Sequence, residues 1–167
     1  LNHFGHSGGG KGYTKQFEKT FLMQNGLPIY ATGSGYAGDD YIGTTKTNRD
    51  WRWILFMKAP GEVASFLNIG TPDKFANPAL VYSTDIKAAT ATGYIKGKGY
   101  SFDYNNVLLE KDLTAPVLYR AAEAYLIYIE SSFLRNGNID GTADKYWKAL
   151  RTRAGVDPDY SKTIAAT

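Results

Sequence analysis

The strongest constraint on the fold lies in the last third of the chain. Thr114 stands before Ala115-Pro116, which suits a helix start with the hydroxyl as N-cap and proline in the first turn. Leu118, Ala122, Tyr125/Leu126, Ile129 and Phe133 follow at helical spacing, so the pattern predicts a helix over 115–134 with these residues on one face. Asn136-Gly137 stops it. A second helix is expected over 142–153, with Ala143, Tyr146/Trp147, Leu150 and Ala154 on one face and Gly155 and Pro158 closing it. Arg151 and Arg153 sit in its last turn, where cations suit the carbonyl end of the dipole. Two helices joined by a short turn form an αα-hairpin. Small alanines facing large aromatics suit tetratricopeptide-like pairing. A lone pair cannot bury both its faces, so it must pack on the rest of this chain or on helices beyond it.

The first two thirds are less regular. Residues 1–12 are Gly-rich and read as a flexible end. Phe17–Met23 is compatible with a short helix or an extended run, and Asn25-Gly26 followed by Pro28 marks a turn. Residues 31–48 read as an irregular loop carrying Tyr36 and Tyr41. In 49–59, Trp51, Trp53, Leu55 and Met57 alternate with Arg52, Ile54, Phe56 and Lys58, which predicts a partly buried strand. Residues 61–93, with Pro72 and Pro78, read as loop with short helical turns, and 94–109 as extended segments around a turn. The expected organisation is one domain over 13–167, loop-rich in 13–113 and a helical hairpin in 114–155.

Composition narrows the function. The net charge is +3 and the 19 basic residues are scattered, which argues against nucleic acid. The chain has no cysteine, which removes disulfides, thiol catalysis and Cys-type zinc sites. No apolar run is long enough to span a bilayer. The first residue is Leu1, with no leader and no lipid-bearing cysteine in view, so the chain reads as a mature or truncated piece. Aromatic residues reach 14%, led by 13 tyrosines, beside 18 glycines. That combination suggests structured loops carrying amphipathic contact groups.

Four short segments, taken in order, resemble the SusD/RagB family. Asn25-Gly26-Leu27-Pro28-Ile29 looks like its NGLPI region, and Arg49-Asp50-Trp51-Arg52 looks like its R-D-x-R element. Pro116, Arg120, Ala122, Glu123 and Leu126 match its P-x-x-x-R-x-A-E-x-x-L helix. Arg151, Arg153, Ala154 and Gly155 match its R-x-R-A-G helix end. The chain departs from the pattern at Trp51, where the family more often has proline, at Ile129-Glu130-Ser131 and at Lys148. The resemblance covers residues 17–160 and implies a C-terminal-half fragment. It implies a mainly α fold, with tetratricopeptide-like helix pairs, long irregular loops and a few short strands. It also implies a lipid-anchored protein on the outer face of the outer membrane, which hands oligosaccharides, or in some members peptides, to a TonB-dependent SusC-like transporter.

A pyranose has an apolar C–H face and a rim of hydroxyls, so holding one needs a flat aromatic and a few polar groups, with no cofactor, metal or nucleophile. The candidate stacking residues are Tyr36, Tyr41, Trp51 and Trp53, and the candidate hydroxyl partners are Asp39, Asp40 and Asn48. The competing reading makes both tryptophans core residues and the aspartate pair a turn. Tyr146 and Trp147 read as core, and Arg120 with Glu123 as a structural pair. Gly5–Lys11 resembles a phosphate loop but is followed by Gly12, not Ser or Thr, so it does not read as a nucleotide site. His3 and His6 stand without further ligands nearby, and Asp39-Asp40 lacks calcium-loop spacing. With both histidines at the Gly-rich end, no Ser-His-Asp arrangement is available; a glycosidase pair of carboxylates stays open on paper among the 16 acids, and the resemblance implies a binding protein and not an enzyme. The alternatives are a scaffold that docks on the transporter without a ligand site of its own, or a peptide-binding RagB-like receptor.

Overall fold

The computed structural model describes residues 12–68, 71–74, 90, 92–98 and 117–167. The Gly-rich end with both histidines, and the expected cap at Thr114 with Pro116, lie outside the described residues. In chain order the elements are β1 (Gly12–Tyr13), α1 (Lys15–Lys19), a 3-10 turn (Ile42–Lys46), α2 (Trp51–Phe56), β2 (Met57–Lys58), β3 (Val63–Asn68), β4 (Thr71–Lys74), β5 (Tyr94–Lys96), α3 (Ala121–Asn136), α4 (Gly141–Arg153) and α5 (Ser161–Ala165). The fold is mainly helical with short strands, as the sequence led one to expect. The chain divides into two units: Leu1–Thr20, Ala37–Thr47 and Arg52–Pro116 form the first, and Phe21–Tyr36, Asn48–Trp51 and Val117–Thr167 the second.

In the second unit, Asp140 builds the expected helix pair. Its carboxylate caps α4 by accepting from the N–H groups of Thr142 and Ala143 at 2.9 and 2.8 Å, and it also accepts the hydroxyl of Ser132 on α3 at 2.6 Å. One side chain therefore satisfies two otherwise orphaned donors and ties the helices together. Gly137, at φ 68°, ends α3 with its N–H on the Phe133 carbonyl, the left-handed cap that glycine favours. Tyr125 stacks on Tyr146 with centroids 4.3 Å apart, and Tyr128 meets Tyr146 edge-on. Trp147 stacks on Tyr160 at 4.2 Å.

Two details of the hairpin differ from expectation. Residues 117–120 are not helical, and α3 starts at Ala121. Val117, Leu118 and Tyr119 are 70–87% exposed, so they gain little from the tertiary packing that sustains most helices. The inward face of α3 is also rotated. Ile129 and Ser132 are buried and Ala122 and Tyr125 half-buried, whereas Leu126 and Phe133 are exposed. The contact with Asp140 and the stack on Tyr146 select the row 122-125-129-132. The α4 face is as expected, with Ala143 buried and Tyr146, Trp147 and Leu150 half-buried.

Hydrogen bonding in this unit makes it acid-sensitive. Ser132 and the backbone N–H groups hold the Asp140 carboxyl below its ordinary value, and Lys148 and Tyr160 do the same for Asp144. Lys162 lowers Asp157, and Ser161 lowers Asp159. A carboxyl lowered in the folded state stabilises above its unfolded pKa and loses that contribution as pH falls through the folded value. The thermal midpoint should therefore stay level from about pH 7 to 5 and fall below about pH 4, near the ordinary carboxyl pKa. Asp140→Asn keeps a capping oxygen and removes the titration, so a midpoint–pH curve from scanning calorimetry should be shallower for it.

In the first unit, β5 pairs antiparallel with both β1 and β2. Trp53 fills its centre, fully buried, between Tyr13 and Tyr94 with ring centroids 5.8 and 5.5 Å away, and its indole N–H donates to Thr45 at 3.1 Å. The strand expected over 49–59 is instead helix α2 followed by two strand residues. Trp53 and Met57 are buried while Trp51 and Leu55 are 51% and 62% exposed. The alternation fails at Leu55, which a strand would bury together with Trp53 and Met57, whereas a helix turns i+2 away from the side that holds i. Residues 63–74, expected as loop, contain the antiparallel pair β3–β4. Pro72 lies in β4, a place open to proline in a two-stranded ribbon, where every strand is an edge.

Candidate functional site

Three of the four motif segments meet in the second unit. The run 22–26 lies between the other two. On one side Met23 bridges Arg49, the Gln24 N–H donates to Asn48 at 2.7 Å, and the Asp50 N–H donates to Leu22 at 2.9 Å. On the other side the Asp157 N–H donates to Gln24 at 2.8 Å. The Trp51 N–H donates to the Ala154 carbonyl at 2.9 Å, joining the R-D-x-R and R-x-R-A-G segments directly. Arg120 and Glu123 of the remaining motif lie exposed at the start of α3.

Side chains lock this junction. Arg49 and Asp50 are both fully buried. Arg49 donates to the Phe21 carbonyl at 3.1 Å and lies over the Tyr36 ring at 5.3 Å, a cation–π contact. Arg151, 6% exposed, donates from Nε to the Asp157 carbonyl at 2.7 Å. Burial lowers its pKa, against the opposing charges of Asp157, Asp159 and Asp50. Gly26, at φ 86°, lies where an added Cβ would stand 2.8 Å from Arg151 Nη2. Its carbonyl accepts the Thr163 hydroxyl at 2.6 Å.

The candidate ligand residues divide between the units. In the second, Tyr36 is half-buried beneath Arg49, Asn48 is exposed at φ 52°, and Trp51 is 51% exposed. In the first, Asp39, Asp40 and Tyr41 are exposed, and Trp53 is buried with no open face. Trp53 is thus a core residue, which corrects its assignment as a stacking group. Asp39 is ion-paired with Lys15, whose hydrogen bond holds its carboxyl low. Burial opposes the charge on Lys15, but bonds to Asp39, Glu18 and Tyr94 outweigh it and push the ammonium pKa up. Asp39 is therefore a charged acceptor already engaged on one side. Tyr41 precedes the 3-10 turn and its ring lies against Gly43.

Two features escaped the sequence reading. Tyr30 is 66% exposed, on the run just after NGLPI. Gly155 packs against Trp51, an approach that its place in R-x-R-A-G, read there as a helix end, did not reveal. Among the described residues, no helix is long and apolar enough to cross a membrane, and no group of three or more acidic or histidine side chains is placed to hold a metal.

No curated protein and no solved structure matches the chain. The family model described as the SusD family matches residues 2–166. The match covers all four motif segments, three of which the structure joins into one junction, and the chain belongs to the SusD family, whose members are nutrient-binding proteins.

Proposed function

We propose that the chain binds an oligosaccharide at the outer face of the outer membrane and passes it to a SusC-like TonB-dependent transporter, as part of a lipid-anchored receptor. The observation that carries this reading, beside the family, is the exposure of aromatic rings on the segment 30–51. Tyr30, Tyr41 and Trp51 are 66%, 47% and 51% exposed. Each ring leaves apolar area in water that a bound partner can cover. A sugar covers such a ring with its C–H face, while a polar residue of the same unit bonds its hydroxyls: Asn48 in the unit of Trp51, or Asp40 in the unit of Tyr41. Capture is then a reversible equilibrium with no covalent step, and release to the transporter needs only a competing site.

Titration calorimetry with hexaoses of the malto, cello, xylo and manno series tests it. At least one should give saturable heat, and Tyr41→Ala should weaken it by about tenfold, the size of a contact worth about 1.4 kcal/mol. No heat with any of the four overturns the glycan reading. Full affinity in Tyr41→Ala removes Tyr41 from the site.

A further inference from the structure

We infer that Trp51 is a one-faced platform for a sugar ring, backed by Gly155; this rests on the glycan reading above. The geometry comes from what a side chain at Gly155 would meet. An added Cβ would stand 2.3 Å from Cε2 of Trp51, 2.5 Å from Cδ2 and 2.5 Å from Nε1. Cε2 is a ring-fusion carbon, bonded in the ring plane on all three sides. An atom that close to it and to two of its neighbours can only lie above or below the plane. Gly155 therefore presents its backbone to the flat of the indole, at a distance only a residue without Cβ permits. The φ of 66° at Gly155 sets this orientation.

The other side of the ring is different. Trp51 remains 51% exposed although one face is covered, so its open surface lies on the opposite face and the rim. Its backbone is held by the N–H bond to Ala154, inside the junction of the motif segments. The ring is thus supported from below before any ligand arrives, and binding costs little further ordering. A large flat apolar surface, fixed in place and open on one side, complements a pyranose face bearing only C–H bonds. Asn48, exposed on the same segment, carries both a donor and an acceptor for ring hydroxyls. The ligand class is an uncharged oligosaccharide with at least one such face.

The test compares wild type, Trp51→Phe and Trp51→Leu by calorimetry with the same four hexaoses. Leucine keeps apolar packing on Gly155 but has no flat ring. The expected result is binding within about threefold of wild type for Trp51→Phe and at least about tenfold weaker for Trp51→Leu, with unchanged circular dichroism. Equal affinity in Trp51→Leu overturns the platform and leaves the glycan reading standing, whereas no binding by wild type overturns both. Should Trp51→Leu fail to fold, 19F NMR of the 5-fluorotryptophan-labelled chain decides. Of its three signals, the one missing in Trp51→Phe should move on adding the hexaose with the strongest heat. If that signal stays still while the heat is seen, the platform is overturned.

Discussion

Gly155→Ala should cost about 3 kcal/mol of stability, combining left-handed backbone strain with overpacking. The residue sits at φ 66°, and its new methyl would stand 2.3 Å from the indole of Trp51. The two costs can be separated. Removing the indole relieves the clash but leaves the backbone strain, so Trp51→Ala should rescue part of the loss. In a double-mutant cycle the two substitutions should combine less than additively, by about 1–2 kcal/mol. Urea denaturation of the four proteins measures this. Full additivity would mean that the indole swings clear without cost, and that Gly155 matters for its backbone alone.

Arg49→Met should lose about 3–4 kcal/mol, because a fully buried guanidinium is removed while its buried partners stay behind. The Phe21 carbonyl loses its donor and Tyr36 loses the cation over its ring. Asp50, the next residue in the chain, is fully buried as well. Arg49→Lys should recover less than half of the loss, since an ammonium lacks the planar, multi-donor guanidinium. Chemical denaturation gives the values, and a loss below about 1 kcal/mol in Arg49→Met, the size of a surface pair, would show that the junction does not depend on this charge.

What was legible in the sequence follows the range of the interactions. The turn at Asn136-Gly137 and the α4 face depend on residues within a few positions of each other, and both were readable. The inward row of α3 was not, because the stack on Tyr146 and the bond from Ser132 to Asp140 select it. The run 49–59 misled for a related reason. Its large apolar residues fit alternation on paper, and only the exposure of Leu55 between the buried Trp53 and Met57 breaks that pattern. The motifs were recognisable one by one, yet nothing local shows that Gly26 lies against Arg151 or Gly155 under Trp51. The candidate site suffered most, since exposure decides it: Trp51 and Trp53, two residues apart, went to opposite fates. Had α2 been read as helical, that split would have followed from their spacing.

The outward side of α3 has a consequence for handling. Leu126, Ile127, Phe133 and Leu134 are 50–76% exposed along it. Crowding raises the chance that two such strips meet and shed water together. The strip lies on a helix that takes no part in the motif junction, so a polar replacement at Leu134 should lower self-association, read by light scattering, without loosening that junction.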